Sequence, residues 1–277
     1  MRAFPDLAIS VEVTVILRVT GGCCSNWVLS QASTWMPQPA KCHRKAKYPS
    51  VVRPRSPQAE LPLGERRRTE IAPGAVHLPG WLDLEIQKRL VEACRNWARP
   101  PAPMRATRLP SGAVMSVQTV CLGWHWLPYR YSRTADDVDG ATVPPVPGWL
   151  ADLGRRAVSD AYGDHQAGAH YDPDAVLINF YSAEARLGMH QDKDERADDP
   201  VVSLSIGDAC LFRFGNTASR SRPYTDLVLH SGDLFVFGGP SRFAFHGVPR
   251  VYPGTADPTL GLAGRLNLTM RVTGLPG

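Results

Sequence analysis

The chain has 277 residues, 43% of them apolar and 21% charged, a balance suited to a globular protein that buries a core in one large domain or two small ones. No apolar run reaches the ~18–20 residues of a membrane helix, and Asp6 and Glu12 interrupt the N-terminal apolar stretch where a secretory leader needs continuity. The net charge of +5 is local: residues 41–70 carry nine basic and three acidic side chains, residues 71–277 carry 20 and 21, so bulk charge gives the body no nucleic-acid footprint.

Residues 1–70 combine aperiodic apolar stretches with a Pro- and Arg-rich run from Pro37 to Arg68. Such a segment has little means of burying a core and reads as a disordered extension; a start codon assigned too far upstream would give the same texture. The folded domain is expected over 71–277. Cys23, Cys24, Cys42, Cys94, Cys121 and Cys210 show no CxxC spacing, which excludes a zinc knuckle and a disulfide scaffold and fits the reducing cytoplasm.

The first helix is expected over 83–99, where Leu84, Leu90, Val91, Cys94 and Trp97 share a face, Asp83 can cap the start and Pro100-Pro101 stops the run. A second is expected over 147–162, with Trp149, Leu150, Leu153, Ala157 and Ala161 on one stripe. Beyond Asp174 short strands follow, at 174–181, 201–206, 209–214, 225–230, 233–237, 242–246 and 265–272, separated by Gly, Pro, Asp and Ser turns. Helices followed by many short strands indicate an α+β protein with a sandwich or jelly-roll core.

Two histidines stand out from the eight. His190 and Asp192 lie two apart, so on an extended chain they share a face; His246 ends the expected strand at 242–246, far enough on to return beside them. Two His and one carboxylate make the facial triad of non-haem Fe(II) oxygenases, although an isolated His-x-Asp also arises by chance. Over 265–271 polar and apolar residues alternate, aligning Arg265, Asn267, Thr269 and Arg271 against Leu266, Leu268 and Met270. Outward, the polar face would be solvated; inward, its guanidinium forks would require a dianion such as 2-oxoglutarate. Asn179 and Tyr181 offer a second polar pair on an apolar strand.

The segment LINFYSAEARLGMHQDKD (177–194), followed in order by VSLSIG (202–207), GGPSRFAFHG (238–247) and RLNLTMR (265–271), resembles the AlkB family of Fe(II)- and 2-oxoglutarate-dependent nucleic-acid demethylases, in particular the bacterial DNA-repair branch. The likeness covers about 72–277. It implies a double-stranded β-helix (jelly-roll) core, N-terminal helices packed outside it and a nucleotide-recognition lid. It implies that His190, Asp192 and His246 bind Fe(II), that Arg265, Tyr181 and Asn267 hold the distal carboxylate of 2-oxoglutarate, and that Arg271 and Asn179 hold the carboxylate next to the iron. The stretch with Met115, Trp124, Tyr129 and Tyr131 resembles the lid, where Trp124 and His190 would sandwich a flipped base and Asp194 would face its exocyclic amine. The chain departs from the family at Phe237, where Trp is common, and at Thr225-Asp226, where basic residues are expected.

The activity implied is oxidative demethylation of 1-methyladenine and 3-methylcytosine in single-stranded DNA, and in RNA, by a cytoplasmic monomer with no membrane partner. It would use Fe(II), O2 and 2-oxoglutarate and release succinate, CO2 and formaldehyde. The residues alone leave open an oxygenase acting on tRNA, protein or a small molecule, and a catalytically dead nucleic-acid-binding module. Because a carboxylate attracts a cation at short range, Asp194→Ala is expected to erase a preference for cationic over neutral lesions when both compete in one assay; an unchanged preference would sink that role.

Overall fold

In the computed structural model, residues 67–276 are described, and the expectation for the N-terminal extension lies outside them up to residue 66. The described chain runs through β1 (Thr69–Ala72), β2 (Ala75–Leu78), α1 (Leu84–Trp97), β3 (Arg105–Arg108), β4 (Val114–Leu122), β5 (His125–Leu127), β6 (Arg130–Ser132), α2 (Gly148–Tyr162) and α3 (His165–His170). It continues through β7 (Ala175–Tyr181), β8 (Leu187–His190), β9 (Val201–Gly207), β10 (Ala209–Phe214), β11 (Thr225–Leu229), β12 (Leu234–Phe237), β13 (His246–Tyr252) and β14 (Arg265–Arg271).

Two sheets form the core. The larger has the order β1-β2-β12-β9-β14-β7-β4-β3, the smaller β11-β10-β13-β8, and β5 and β6 make a separate hairpin. This is the expected jelly-roll.

The period-two pattern of the strands determines what each face of the large sheet meets. Leu266, Leu268 and Met270 of β14, with Val202, Leu204 and Ile206 of β9 and Leu234 and Val236 of β12, pack against Leu90, Val91 and Cys94 of α1 and Leu150, Ala157 and Ala161 of α2. The alternate residues Phe235 and Phe237 point the other way, toward Phe212 and Phe214 of the small sheet. Phe212 and Phe235 lie with ring centroids 5.0 Å apart at 64°, an edge-to-face contact worth ~0.5–1.5 kcal/mol beyond area burial. The polar residues of β14 therefore lie between the sheets, and Arg265 is 1% exposed.

Both expected helices form. Asp83 caps α1 by accepting from the Ile86 amide, and Gly163 ends α2 in the left-handed conformation (φ 66°). The expected strand at 242–246 is corrected: Gly239–Ser241 is a 3-10 turn, Arg242 is helical (φ −51°, ψ −39°), and β13 begins at His246 rather than ending there. The apolar Phe243-Ala244-Phe245 run mimics a strand, but Arg242 turns inward to donate to the Asp192 and Asp199 carbonyls at 2.6 and 2.7 Å. Strands β1 to β6 and β8 and helix α3 fall outside the expected elements; except for the nine-residue β4, they are, like Arg105–Arg108 (RATR) and Leu187–His190 (LGMH), too short to show a period. Thr69 and Glu70 belong to β1, so the first strand starts ahead of the expected boundary at residue 71.

One buried carboxylate ties the turns of the large sheet. Asp233, 1% exposed, accepts from the Gly80 amide at 2.8 Å, the His230 amide at 2.9 Å and His77 Nε2 at 3.0 Å. Burial pushes its pKa up, but His77 and those amides outweigh burial and hold it below the usual 3.8. A group depressed in the folded state adds stability above its unfolded pKa and loses it as pH falls toward the folded value. Asp233→Asn is therefore expected to lower stability at pH 7 by ~1–3 kcal/mol and to flatten the loss of stability below about pH 4, read from urea unfolding at pH 7, 4.5 and 3.

Candidate active site

Strand pairing assembles the candidate metal-ligand set. Strands β8 and β13 are antiparallel neighbours, and His190 is the direct register partner of His246. Asp192, two residues beyond His190, turns back between them. His190 Nε2 lies 3.6 Å from Asp192 Oδ1, and His246 Nε2 lies 3.7 Å from Asp192 Oδ2. One ligand atom from each residue falls within a 4.8 Å sphere of separations. The other ring nitrogens are committed: His190 Nδ1 donates to the Gly188 carbonyl at 2.9 Å, and His246 Nδ1 to the Ala244 carbonyl at 3.0 Å. A carbonyl only accepts, so each Nδ1 carries a proton and Nε2 is the ring atom turned toward Asp192.

Electrostatics keep the set in ligand form. Burial would raise the Asp192 pKa, but Arg271 foremost, then His246 and His190, bring it down to about 2. Burial, aided by His190, lowers His246 to about 4, so it is neutral at pH 7. Asp192 Oδ2 is buried without a hydrogen-bond partner. A buried, ionised oxygen without a hydrogen-bond partner costs several kcal/mol unless a cation meets it. Two imidazoles and a carboxylate on one side of an ion suit Fe(II) and leave positions open for a chelating cosubstrate.

The cradle beside this set lies across β14 and β7. Register places Arg265 opposite Tyr181 and Asn267 opposite Asn179. Arg265 donates from Nη2 to Ser205 Oγ at 3.0 Å, while its Nε and Nη1 are buried without partners. Asn267 Nδ2 donates to Ser203 Oγ at 2.8 Å, and Asn179 Oδ1 accepts from Thr119 Oγ1 at 2.8 Å. Idle N–H groups on a guanidinium 1% exposed fit a carboxylate. Arg271 faces the metal side instead, with Nη2 2.8 Å from Asp192 Oδ1. All five residues expected to hold 2-oxoglutarate line the same cavity as His190, Asp192 and His246. Phe237, the departure from the family pattern, packs its ring 5.0 Å from His246.

Trp124 is 8% exposed, its Nε1 donates to Asp174 at 3.0 Å, and the Arg133 guanidinium covers its ring at 3.5 Å. It forms part of a wall beneath Arg133. Gly123 (φ +74°) brings the chain so near the Asp174 carbonyl that a Cβ would sit 1.9 Å from it, which draws the next residue into that wall. Trp126 of β5 reaches the segment that follows Asp192, where its Nε1 donates to Asp194 Oδ2 at 2.8 Å. Tyr129 is 72% exposed at the hairpin tip, and Met115 is half-buried on β4 outside the cavity lining. Sequence reasoning also passed over Glu195, Arg242, Ser203 and Ser205; only the acidic run Asp192–Glu195 carried a hint of the first.

The family model of the 2OG-Fe(II) oxygenase superfamily matches residues 74–271. The chain belongs to that superfamily. Its Fe(II), 2-oxoglutarate and O2 suit the orphaned Asp192 Oδ2 and the idle Arg265 donors. The chain is 34% identical over 221 residues to the DNA N(6)-methyladenine demethylase ALKBH1D of Arabidopsis thaliana, covering 73% of this chain and 50% of that one. It is 39% identical over 208 residues to the alpha-ketoglutarate-dependent dioxygenase AlkB homolog of Caulobacter vibrioides, covering 73% and 88%. The solved structure of OsALKBH1 superposes with a TM-score of 0.66 at 32% identity, over 74% of this chain and 99% of that one. The chain spans about half the length of the Arabidopsis relatives.

If His190, Asp192 and His246 hold the ion, removing one of them should cost metal affinity. His190→Ala is expected to weaken Fe(II) binding at least about 100-fold, measured by anaerobic calorimetric titration; unaltered binding would refute the ligand assignment.

Proposed function

We propose that this protein is an oxidative demethylase of N-alkylated nucleic-acid bases, acting as a cytoplasmic monomer on 1-methyladenine and 3-methylcytosine in single-stranded DNA and in RNA. The observation that carries the reading is the pairing of Trp126 with Asp194 beside the metal-ligand set. An aromatic ring offers a base a stacking face worth ~1–3 kcal/mol, and a carboxylate accepts from an exocyclic amine while attracting a cationic ring. The names of the relatives support the class, a DNA demethylase in Arabidopsis thaliana and the tRNA demethylase abh1 of Schizosaccharomyces pombe, 35% identical over 134 residues. They also favour a second substrate, N(6)-methyladenine, which is neutral and would draw less on Asp194.

Bound Fe(II) with O2 and 2-oxoglutarate would supply the oxidation of the N-methyl group to hydroxymethyl, which leaves as formaldehyde while succinate and CO2 form. The protein's own residues do the rest. Arg265, with Tyr181 and Asn267, would anchor one carboxylate of the cosubstrate, and Asn179 and Arg271 the other. Trp126 and Asp194 would hold the base so that its methyl group meets the metal face of His190 and His246. Phe212, Phe214, Phe235 and Phe237 keep water from the inner wall. A body of 20 basic and 21 acidic residues beyond position 70 gives modest, salt-sensitive affinity for phosphate.

Formaldehyde release from a single-stranded oligonucleotide carrying one 1-methyladenine, with Fe(II), 2-oxoglutarate and ascorbate, is expected from the wild type and absent from His190→Ala. Release from N(6)-methyladenine alone would select the second substrate. Succinate without formaldehyde from either would place the activity on another class of molecule.

A further inference from the structure

The most densely linked group of buried charges lies one step outside the metal-ligand set, and none of its links is needed to bind a cosubstrate. The side chain of Glu195 has no exposed surface. Its Oε1 accepts from Arg271 Nη1 at 2.9 Å and from the Tyr131 hydroxyl, and its Oε2 accepts from Arg242 Nη2 at 3.0 Å. Both arginines reach on to Asp192: Arg271 Nη2 holds the Oδ1 oxygen at 2.8 Å, and Arg242 Nη1 holds the backbone carbonyl at 2.6 Å. Asp192 is thus gripped at both ends by guanidiniums that share one carboxylate. That grip leaves Oδ2 as the oxygen without a hydrogen-bond partner, on the His246 side.

Tyr131 brings the lid into the same network. It sits on β6 directly across from Trp126 of β5. The two side chains donate to consecutive acidic residues, Trp126 to Asp194 and Tyr131 to Glu195. Arg271 Nη1 also donates to the Tyr131 oxygen at 3.0 Å. The hairpin is therefore docked onto the segment that carries Asp192, by bonds that pass through the guanidinium holding Asp192.

We propose that Glu195 is a positioning residue that couples the lid hairpin to the metal centre, orienting Asp192 through Arg271 and Arg242 while holding the lid through Tyr131. Two physical effects act together. Geometrically, Glu195 fixes which Asp192 oxygen faces the ion, the kind of outer support whose loss weakens metal binding ~10–100-fold. Electrostatically, Asp192 and Glu195 balance Arg271 and Arg242; without the Glu195 charge a buried surplus of one positive charge would oppose a dication. Because lid and ligand share Arg271, metal binding tightens the lid, and by linkage a docked lid tightens metal binding.

The inference rests on the metal centre and not on the base substrate, so its test contains no nucleic acid and stands or falls apart from formaldehyde release. In the full chain, Mn(II) is titrated calorimetrically into wild type and Glu195→Gln, which keeps the shape and removes the charge. Hydrogen exchange of the 125–132 amides is followed with and without Mn(II). The expected result is a Kd raised about 10–100-fold, with Mn(II) slowing lid exchange in the wild type and failing to do so in the variant. A purely structural Glu195 would leave the metal-dependent part of the exchange in place. Unchanged affinity, or metal-dependent protection retained in Glu195→Gln, overturns the proposal. Should that variant not fold, Tyr131→Phe, which loses one hydroxyl, is read in the same two assays: retained affinity and protection overturn the coupling, and loss of both supports it.

Discussion

Taking a carboxylate out of water costs several kcal/mol unless charged or hydrogen-bonding partners replace its hydration. Asp192 is 5% exposed, and the arrangement around it can be understood as the compensation. Arg271 and Arg242 supply charge and hydrogen bonds from β14 and from the turn before β13. His190 and His246 approach from neighbouring strands without reaching hydrogen-bond distance, leaving one oxygen for an ion. The same buried charge that would destabilise an ordinary core is here the one a cation would offset.

That arrangement depends on the two faces of one strand having opposite chemistry. The apolar half of β14 is sealed by the helices, and its polar half is enclosed by the small sheet, so all seven of its residues are buried. An arginine in such a place is stable only with partners, and Ser205 satisfies one of the Arg265 donors. The remaining idle donors bind an anion more strongly than they would in water, because the surroundings compete so little. The helices contribute no side chain to the cavity; they cover the apolar face of the large sheet.

The lid shows how adjacent residues in one motif acquire different tasks. Trp124 and Trp126 are two apart, yet Gly123 folds the chain against Asp174 so that the first tryptophan is walled in beneath Arg133. The hairpin β5–β6 then carries the second toward Asp194. A similar reversal happens at Arg242, whose buried guanidinium converts an apolar run into a turn and moves His246 from the end of a strand to its beginning.

The amino-acid sequence by itself determined α1 and α2, six of the twelve strands in the two sheets, and the residue sets His190/Asp192 and Arg265/Asn267/Thr269/Arg271, because period and spacing decide which side chains share a face. It also carried the family motifs, in order. Only the tertiary structure decided that the polar face of β14 points inward, since that depends on which sheets and helices pair across long stretches of chain. Only it brought Trp126 to Asp194 and revealed Glu195 and Arg242 behind Asp192. Those roles come from single charged or aromatic side chains in turns and short strands, where no period exists to read and where a partner 50 or more residues away sets the direction.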